Sequence, residues 1–306
     1  MLEATEVVDG RYRVVRLLGR GGMSEVYRAE RLDDGSAVAL KLIDSHNLTG
    51  DKAIERFRRE AELSRRIDHP NVVTVFEVLH VDGRAGELPC MVLEFLDGHT
   101  LADHLHEHGR MSLREARPIV DQIAAALSAA HAVGVIHRDL KPDNIFLVGR
   151  DGTSRVVLTD FGVARSADEE GPDLTATHVI PGTPEYMAPE QLELETASSR
   201  SDLYTLGLVM YEMVTGRAAF TGSSPLEAVF ARVKDDPEPP RKHVADLPLA
   251  WDQTIMRCLE RDPAKRFATA ESLVASLDAE GMTTSYRWVL IVVALVVIAL
   301  MMWLWL

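Results

Sequence analysis

Cysteine is nearly absent from this chain of 306 residues: Cys90 and Cys258 stand far apart, each in apolar text, "LPCMVLEF" and "TIMRCLER". A disulfide framework or a thiolate metal site needs more sulfur at closer spacing, so these read as two buried thiols in a reducing compartment. Positive charge is also in short supply, with 33 Lys and Arg against 47 Asp and Glu and a net charge of -14. That balance excludes non-specific binding to nucleic acid or to an anionic membrane surface, both of which depend on clustered cations. The opening text "MLEATEVVDG" has no basic region followed by an apolar run, so no secretory leader is expected and the N-terminal bulk is expected in the cytoplasm. No internal repeat occurs.

Long apolar runs are missing until the end, where Trp288 to Leu306 reads "WVLIVVALVVIALMMWLWL". At about 1.5 Å per residue this run nearly matches a hydrocarbon layer of roughly 30 Å. A buried core helix would be shorter and carry a polar stripe, so 288–306 reads as a transmembrane helix. Tyr286 and Trp288 at one end and Trp303 and Trp305 at the other stand where interfacial aromatics are found, with Arg287 on the cytoplasmic side. The expectation is a single-pass protein of the inner or plasma membrane, with the lipid bilayer as a partner and no extracytoplasmic sensor domain.

From Arg11 to Phe95 short alternating runs such as "YRVVRLLG", "SAVALKLI" and "CMVLEF" read as strands, with Asp34-Gly35 as a hairpin turn. One charge-rich helix from about Lys52 to Ile67 interrupts them. Beyond Gly98 the pattern turns helical, with short extended pieces at "NIFLV" and "RVVLTD". Residues 166–181 and the Pro-rich 235–240 read as loops. A small β-rich lobe is thus followed by a larger α-rich one.

The stretch "LLGRGGMSEVYRAE" at Leu17 to Glu30 crowds Gly19, Gly21 and Gly22 between two apolar runs. Glycines let a backbone approach an anion closely and offer it N–H groups, yet such a cluster also suits a plain hairpin. Lys41 ends a strand-like run about one hairpin later, and a lysine in a buried strand needs an anionic partner. Glu60 on the following helix can supply one, with Glu55 and Glu62 as rivals. In "HRDLKPDN", His137 to Asn144, a carboxylate, a cation and an amide share one short loop. Asp139 can accept a proton from a hydroxyl, Lys141 can neutralise a phosphoryl group and Asn144 can ligate a divalent ion. "TDFG" then supplies Asp160, a hard oxygen ligand suited to Mg²⁺.

In this order, with Ala188 to Glu190 as a fifth segment, the motifs resemble those of the eukaryotic-like serine/threonine protein kinases, over roughly Arg11 to Leu277. "GRGGMSEVYRA", "FRREA", "GTPEYMAPEQ" and "RSDLYTLG" are most similar to the bacterial membrane-anchored members. The resemblance implies an α+β, two-lobed kinase fold plus the C-terminal transmembrane helix: an extension at 1–10, a kinase domain at 11–278 (small lobe 11–95, large lobe 96–278), a juxtamembrane linker at 279–287 and the span at 288–306.

It also implies ATP and Mg²⁺, or Mn²⁺, as cofactors, and transfer of the γ-phosphoryl group to Ser or Thr of protein substrates, in the generic serine/threonine class. Leu18, Gly19, Arg20, Gly21, Gly22, Met23, Ser24, Glu25 and Val26 would form the lid over the phosphates. Ser24 replaces the usual third glycine, as is common among the bacterial relatives. Lys41 would pair with Glu60 and contact the phosphates. Glu94 to Leu96 would be the hinge that reads adenine, and Leu93 would gate the pocket behind it. Asp139 would orient or deprotonate the substrate hydroxyl, and Asn144 and Asp160 would hold the metal. Thr183 would contact both Lys141 and Asp139. Glu190 would pair with Arg266, and Asp202 would brace the catalytic loop.

Arg138 would await an anion, with Thr175 and Thr177 as sites of autophosphorylation. A homodimer through the small lobe is implied too. The alternative is a membrane-tethered pseudokinase scaffold, which loss of Lys41, Asp139 or Asp160 would favour, and none is lost. A small-molecule kinase is disfavoured by the peptide-binding text "GTPEYMAPE". His99, His104, His106 and His108 lack the carboxylate or cysteine that would complete a metal set and read as a solvated helix. Asp168 to Glu170 read as a solvated loop.

Overall fold

The computed structural model describes residues 2–21, 24–43, 51–83, 86–149, 155–161, 184–192, 196–222 and 225–279. An antiparallel sheet of six strands forms the first lobe: β1 (Val7–Val8), β2 (Tyr12–Arg20), β3 (Ser24–Arg31), β4 (Ala37–Ile43), β5 (Val75–Gly83) and β6 (Gly86–Glu94), in the order β1-β2-β3-β4-β6-β5. Alternation along β3 buries Glu25, Tyr27 and Ala29 on one face. There they join Val8, Tyr12, Val14, Val38, Leu40, Leu42, Leu79, Cys90 and Val92 in one apolar layer. Helix α1 (Asp51–Arg65) packs Phe57 and Ala61 against Ile43 and Met91 on the other face.

The second lobe gathers around α3 (Leu113–Ala132) and α5 (Ser199–Thr215), after the short α2 (Leu101–His108). Nearly every residue of α5 is buried, so it is enclosed on all sides and lies at the centre of the lobe. Helices α4 (Pro189–Leu192), α6 (Pro225–Lys234), α7 (Leu249–Cys258) and α8 (Ala270–Ser276) pack around it. Gly207 permits the α5–α7 approach, since a Cβ there would meet Cys258 Cβ at 2.5 Å.

A second sheet joins β7 (Gly98–Thr100), β8 (Ile145–Val148) and β9 (Arg155–Leu158) at the junction of the lobes. The sequence pattern misses β7, because three residues are too few to show alternation. Gly98 marks it in space, where a Cβ would stand 2.1 Å from the Leu147 carbonyl oxygen. Both cysteines are free and buried, and burial pushes the Cys90 thiol up to about 12 and that of Cys258 up as well.

At the end of the described chain Asp278 is held by Arg117 of α3 at 2.5 and 2.9 Å. Among the described residues no helix is long and apolar enough to cross a membrane, and the expected span at 288–306 lies outside them.

Candidate active site

Strand register decides which side chains share the cleft between the lobes. Val26 on β3 pairs with Lys41 on β4, Lys41 with Met91 on β6, and Ala39 with Leu93. Paired residues point to the same face, so Val26, Ala39, Lys41, Met91 and Leu93 line one side of the sheet. Glu25 pairs with Leu42 and turns to the opposite face, away from Lys41. Gly19 pairs with Val26 and Arg20 with Glu25, and Gly21 donates its N–H to the Ser24 carbonyl at 2.8 Å. Leu18 lies in the register shift of β2 and is exposed. Gly22 and Met23 lie outside the described residues.

Lys41 is 7% exposed, a position an unpaired ammonium could not occupy. Its Nζ lies 2.7 Å from Glu60 Oε1 on α1 and 2.7 Å from Asp160 Oδ1 after β9. Burial favours its neutral form, but the two carboxylates outweigh it and raise its pKa. The carboxylates divide unequally. Burial dominates at Glu60 and raises its pKa, whereas at Asp160 the attraction of Lys41 overcomes burial and lowers it. Asp160 keeps 47% of its side chain open and is the accessible member of the pair.

Below it, Asp139 lies in the loop that precedes β8. Lys141 Nζ stands 3.1 Å from its Oδ2, and Asn144 Nδ2 donates to its carbonyl at 2.8 Å and to Oδ2 at 3.1 Å. Asn144 is fixed in turn by donating its own N–H to the Lys141 carbonyl and accepting from Thr159 N. The loop needs outside support because Arg138 has a φ of +65°, a left-handed value uncommon for side chains larger than glycine. Asp202, 1% exposed on α5, provides it: Oδ1 accepts from Arg138 N at 2.9 Å, and Oδ2 from His137 N at 2.9 Å. His131 Nε2 lies 2.7 Å from the same Oδ2.

Glu190 and Arg266 form a buried fork, at 2.7 and 2.9 Å. Ser201 donates to the same carboxylate, and the guanidinium lies over the Tyr204 ring. The Glu94 carboxylate is committed to structure. It takes Arg155 of β9 at 2.9 and 3.1 Å and the N–H of Thr74. Thr175, Thr177 and Thr183 lie outside the described residues.

A protein kinase domain model matches residues 12–276. The chain belongs to the protein kinase family. It is 37% identical to the serine/threonine-protein kinase PknB of Mycobacterium tuberculosis over 270 residues, 88% of this chain and 43% of that one. A probable serine/threonine-protein kinase of Corynebacterium efficiens is also 37% identical, over 90% of this chain and 42% of its own. The chain thus spans about two-fifths of the length of these curated relatives. The crystal structure of the Mycobacterium tuberculosis PknI kinase domain superposes with a TM-score of 0.71 at 27% identity, covering 91% of this chain and 99% of that one. The eukaryotic-like bacterial serine/threonine kinases are accordingly its group, and the two-lobed architecture is theirs.

Three features of this kinase domain are not marked by its motifs, and a fourth, the burial of His137, lies within one of them. His131 joins Asp202 under the catalytic loop. His137 is wholly buried with its ring 4.5 Å from that of Phe161, and burial lowers its pKa. Arg155 clamps the hinge carboxylate from the other lobe. Arg59 of α1 stands near enough to Arg138 to add to burial in lowering its pKa. Each is a contact between distant segments, which local spacing does not reveal.

Proposed function

We propose that the chain is an ATP-dependent protein serine/threonine kinase that autophosphorylates and acts on Ser and Thr of protein substrates. The observation that carries this reading is the buried Lys41 held between Glu60 and Asp160, with the Asp139–Lys141–Asn144 cluster facing the same cleft. Lys41 orients and neutralises nucleotide phosphates, and 19–26 covers them with main-chain donors. The donor set fits a hard divalent ion: the Asp160 carboxylate is accessible, and the Asn144 amide nitrogen is occupied by Asp139, which leaves its oxygen as the metal-facing end. Mg²⁺ or Mn²⁺ held there by Asp160 and Asn144 would supply neutralisation of phosphate charge. Asp139 accepts the proton of the substrate hydroxyl as its oxygen bonds to the γ-phosphorus and the bond to the ADP leaving oxygen breaks. Lys141 stabilises the transferring group, and Thr183 positions the hydroxyl.

The adjacent cations Arg138 and Arg59 favour an incoming anion, and phosphorylation at Thr175 or Thr177 provides one. Residues 288–306 anchor the protein in the inner or plasma membrane with the kinase domain cytoplasmic. Flotation with phospholipid vesicles that is lost on deleting 288–306 is the expected outcome, and unchanged flotation contradicts the anchor. The small lobe mediates a homodimer in this reading. Incubation of the full chain with labelled ATP and Mg²⁺, followed by acid hydrolysis, tests the activity: labelled phosphoserine or phosphothreonine is expected. Bound nucleotide without any transfer indicates a scaffold instead.

A further inference from the structure

The lid residues Arg20 and Glu25 stand in a relation that nucleotide contact does not explain. Glu25 is 8% exposed and lies on the sheet face opposite Lys41. Its Oε1 takes Arg20 Nε at 3.0 Å across the hairpin, between the two ends of the glycine turn. Its Oε2 accepts the Tyr27 hydroxyl at 2.6 Å. Tyr27 is 2% exposed, and burial together with the Glu25 carboxylate pushes its pKa up to about 12, so it stays a protonated donor. The Tyr27 oxygen also accepts the N–H of Leu2 at 3.1 Å, and Leu2 packs on the same apolar layer.

A continuous relay therefore runs from the segment before β1, through Tyr27 and Glu25, to Arg20 at the base of the lid. A buried carboxylate is tolerated only when its oxygens are satisfied: here one joins the two lid strands through Arg20, and the other ties β3 to the N-terminal segment through Tyr27. We propose that Tyr27 and Glu25 are positioning residues for the nucleotide lid, seating it against the N-terminal segment so that its main-chain donors are preorganised for phosphate. Glu25 thereby acts on ATP through the lid rather than by touching it. A loosened lid weakens nucleotide binding and leaves the peptide site, in the other lobe, unaffected.

This inference rests on the ATP-dependent reading, and the test separates the two. Tyr27→Phe and Glu25→Gln in the full chain are compared with Tyr12→Phe. Tyr12 lies in the same apolar layer and its hydroxyl donates to Glu77 at 2.5 Å, but it stands at the far end of β2. The expected result is a rise in KM for ATP of about three- to tenfold in Tyr27→Phe and Glu25→Gln, the scale of one lost hydrogen bond. KM for a protein substrate stays unchanged, and Tyr12→Phe leaves both constants as in the wild type. Unchanged KM for ATP in both lid variants overturns the inference, as does an equal rise in Tyr12→Phe, which would mean general loosening of the sheet. Failure of the wild type to transfer phosphate overturns the ATP-dependent reading instead. Direct binding of ATP to wild type and Glu25→Gln then decides the lid, with equal affinities counting against it. Should Tyr27→Phe not fold, Glu25→Gln carries the comparison alone, since it keeps the side-chain size and an acceptor for Tyr27.

Discussion

At the scale of single residues, the chemistry depends on charges held where solvent cannot compensate for their partners. Lys41 has two carboxylates at 2.7 Å and almost no exposure, so a neutral replacement leaves Glu60 and Asp160 facing each other across the cleft. Lys41→Met is expected to lower kcat about 10²- to 10³-fold, the scale of removing one preorganised electrostatic group. Transfer rates at saturating ATP measure it. His137 gives a pH prediction. Burial lowers its folded pKa, so the unfolded chain binds the extra proton in the window below the ordinary histidine value of about 6.5. Stability is therefore present above that value and declines as pH falls through the window toward the folded pKa. Thermal unfolding of wild type and His137→Phe between these limits is expected to show a shallower acid-side decline in the variant.

At the scale of elements, the buried fork between α4 and the segment before α8 joins stretches far apart in sequence. Removing one partner strands a charge in the core, so Arg266→Leu is expected to cost about 3–5 kcal/mol, read by denaturant unfolding. Arg155 and Glu94 link β9 to the hinge in a more exposed place, and Arg155→Met is expected to cost about 1 kcal/mol or less. Much of this element map is legible in the sequence. Alternation marks β2 to β6, helical spacing marks α1, α3 and α5, and the pieces at 145–148 and 155–158 fall where short extended runs occur. The strand β7 is not legible, because its identity depends on the close approach of Gly98 to Leu147. In the site, the order of motifs points to Lys41, Asp139, Asn144 and Asp160. The reversal of Glu25 to the far face becomes clear only from strand register. His131 and Arg59 are missed for the same reason, since three-dimensional proximity to Asp202 and Arg138 has no local signature.

At the scale of the whole molecule, two lobes with separate cores meet at a cleft whose charged groups come from both. Lys41 and Glu60 belong to the sheet lobe, whereas Asp139, Asn144 and Asp160 belong to the helical lobe and its small sheet. Assembly of the site therefore depends on how the lobes stand, and the Lys41–Asp160 contact reports that they are closed enough to align. In the proposed phosphoryl transfer this alignment leaves Asp139 to take the substrate proton. Single-turnover transfer of labelled γ-phosphate by wild type and Asp139→Asn, with ATP affinity measured on both, tests it most directly. Equal ATP affinity and a fall in transfer of about 10²- to 10⁴-fold are expected in the variant. Transfer at the wild-type rate by Asp139→Asn would contradict that role.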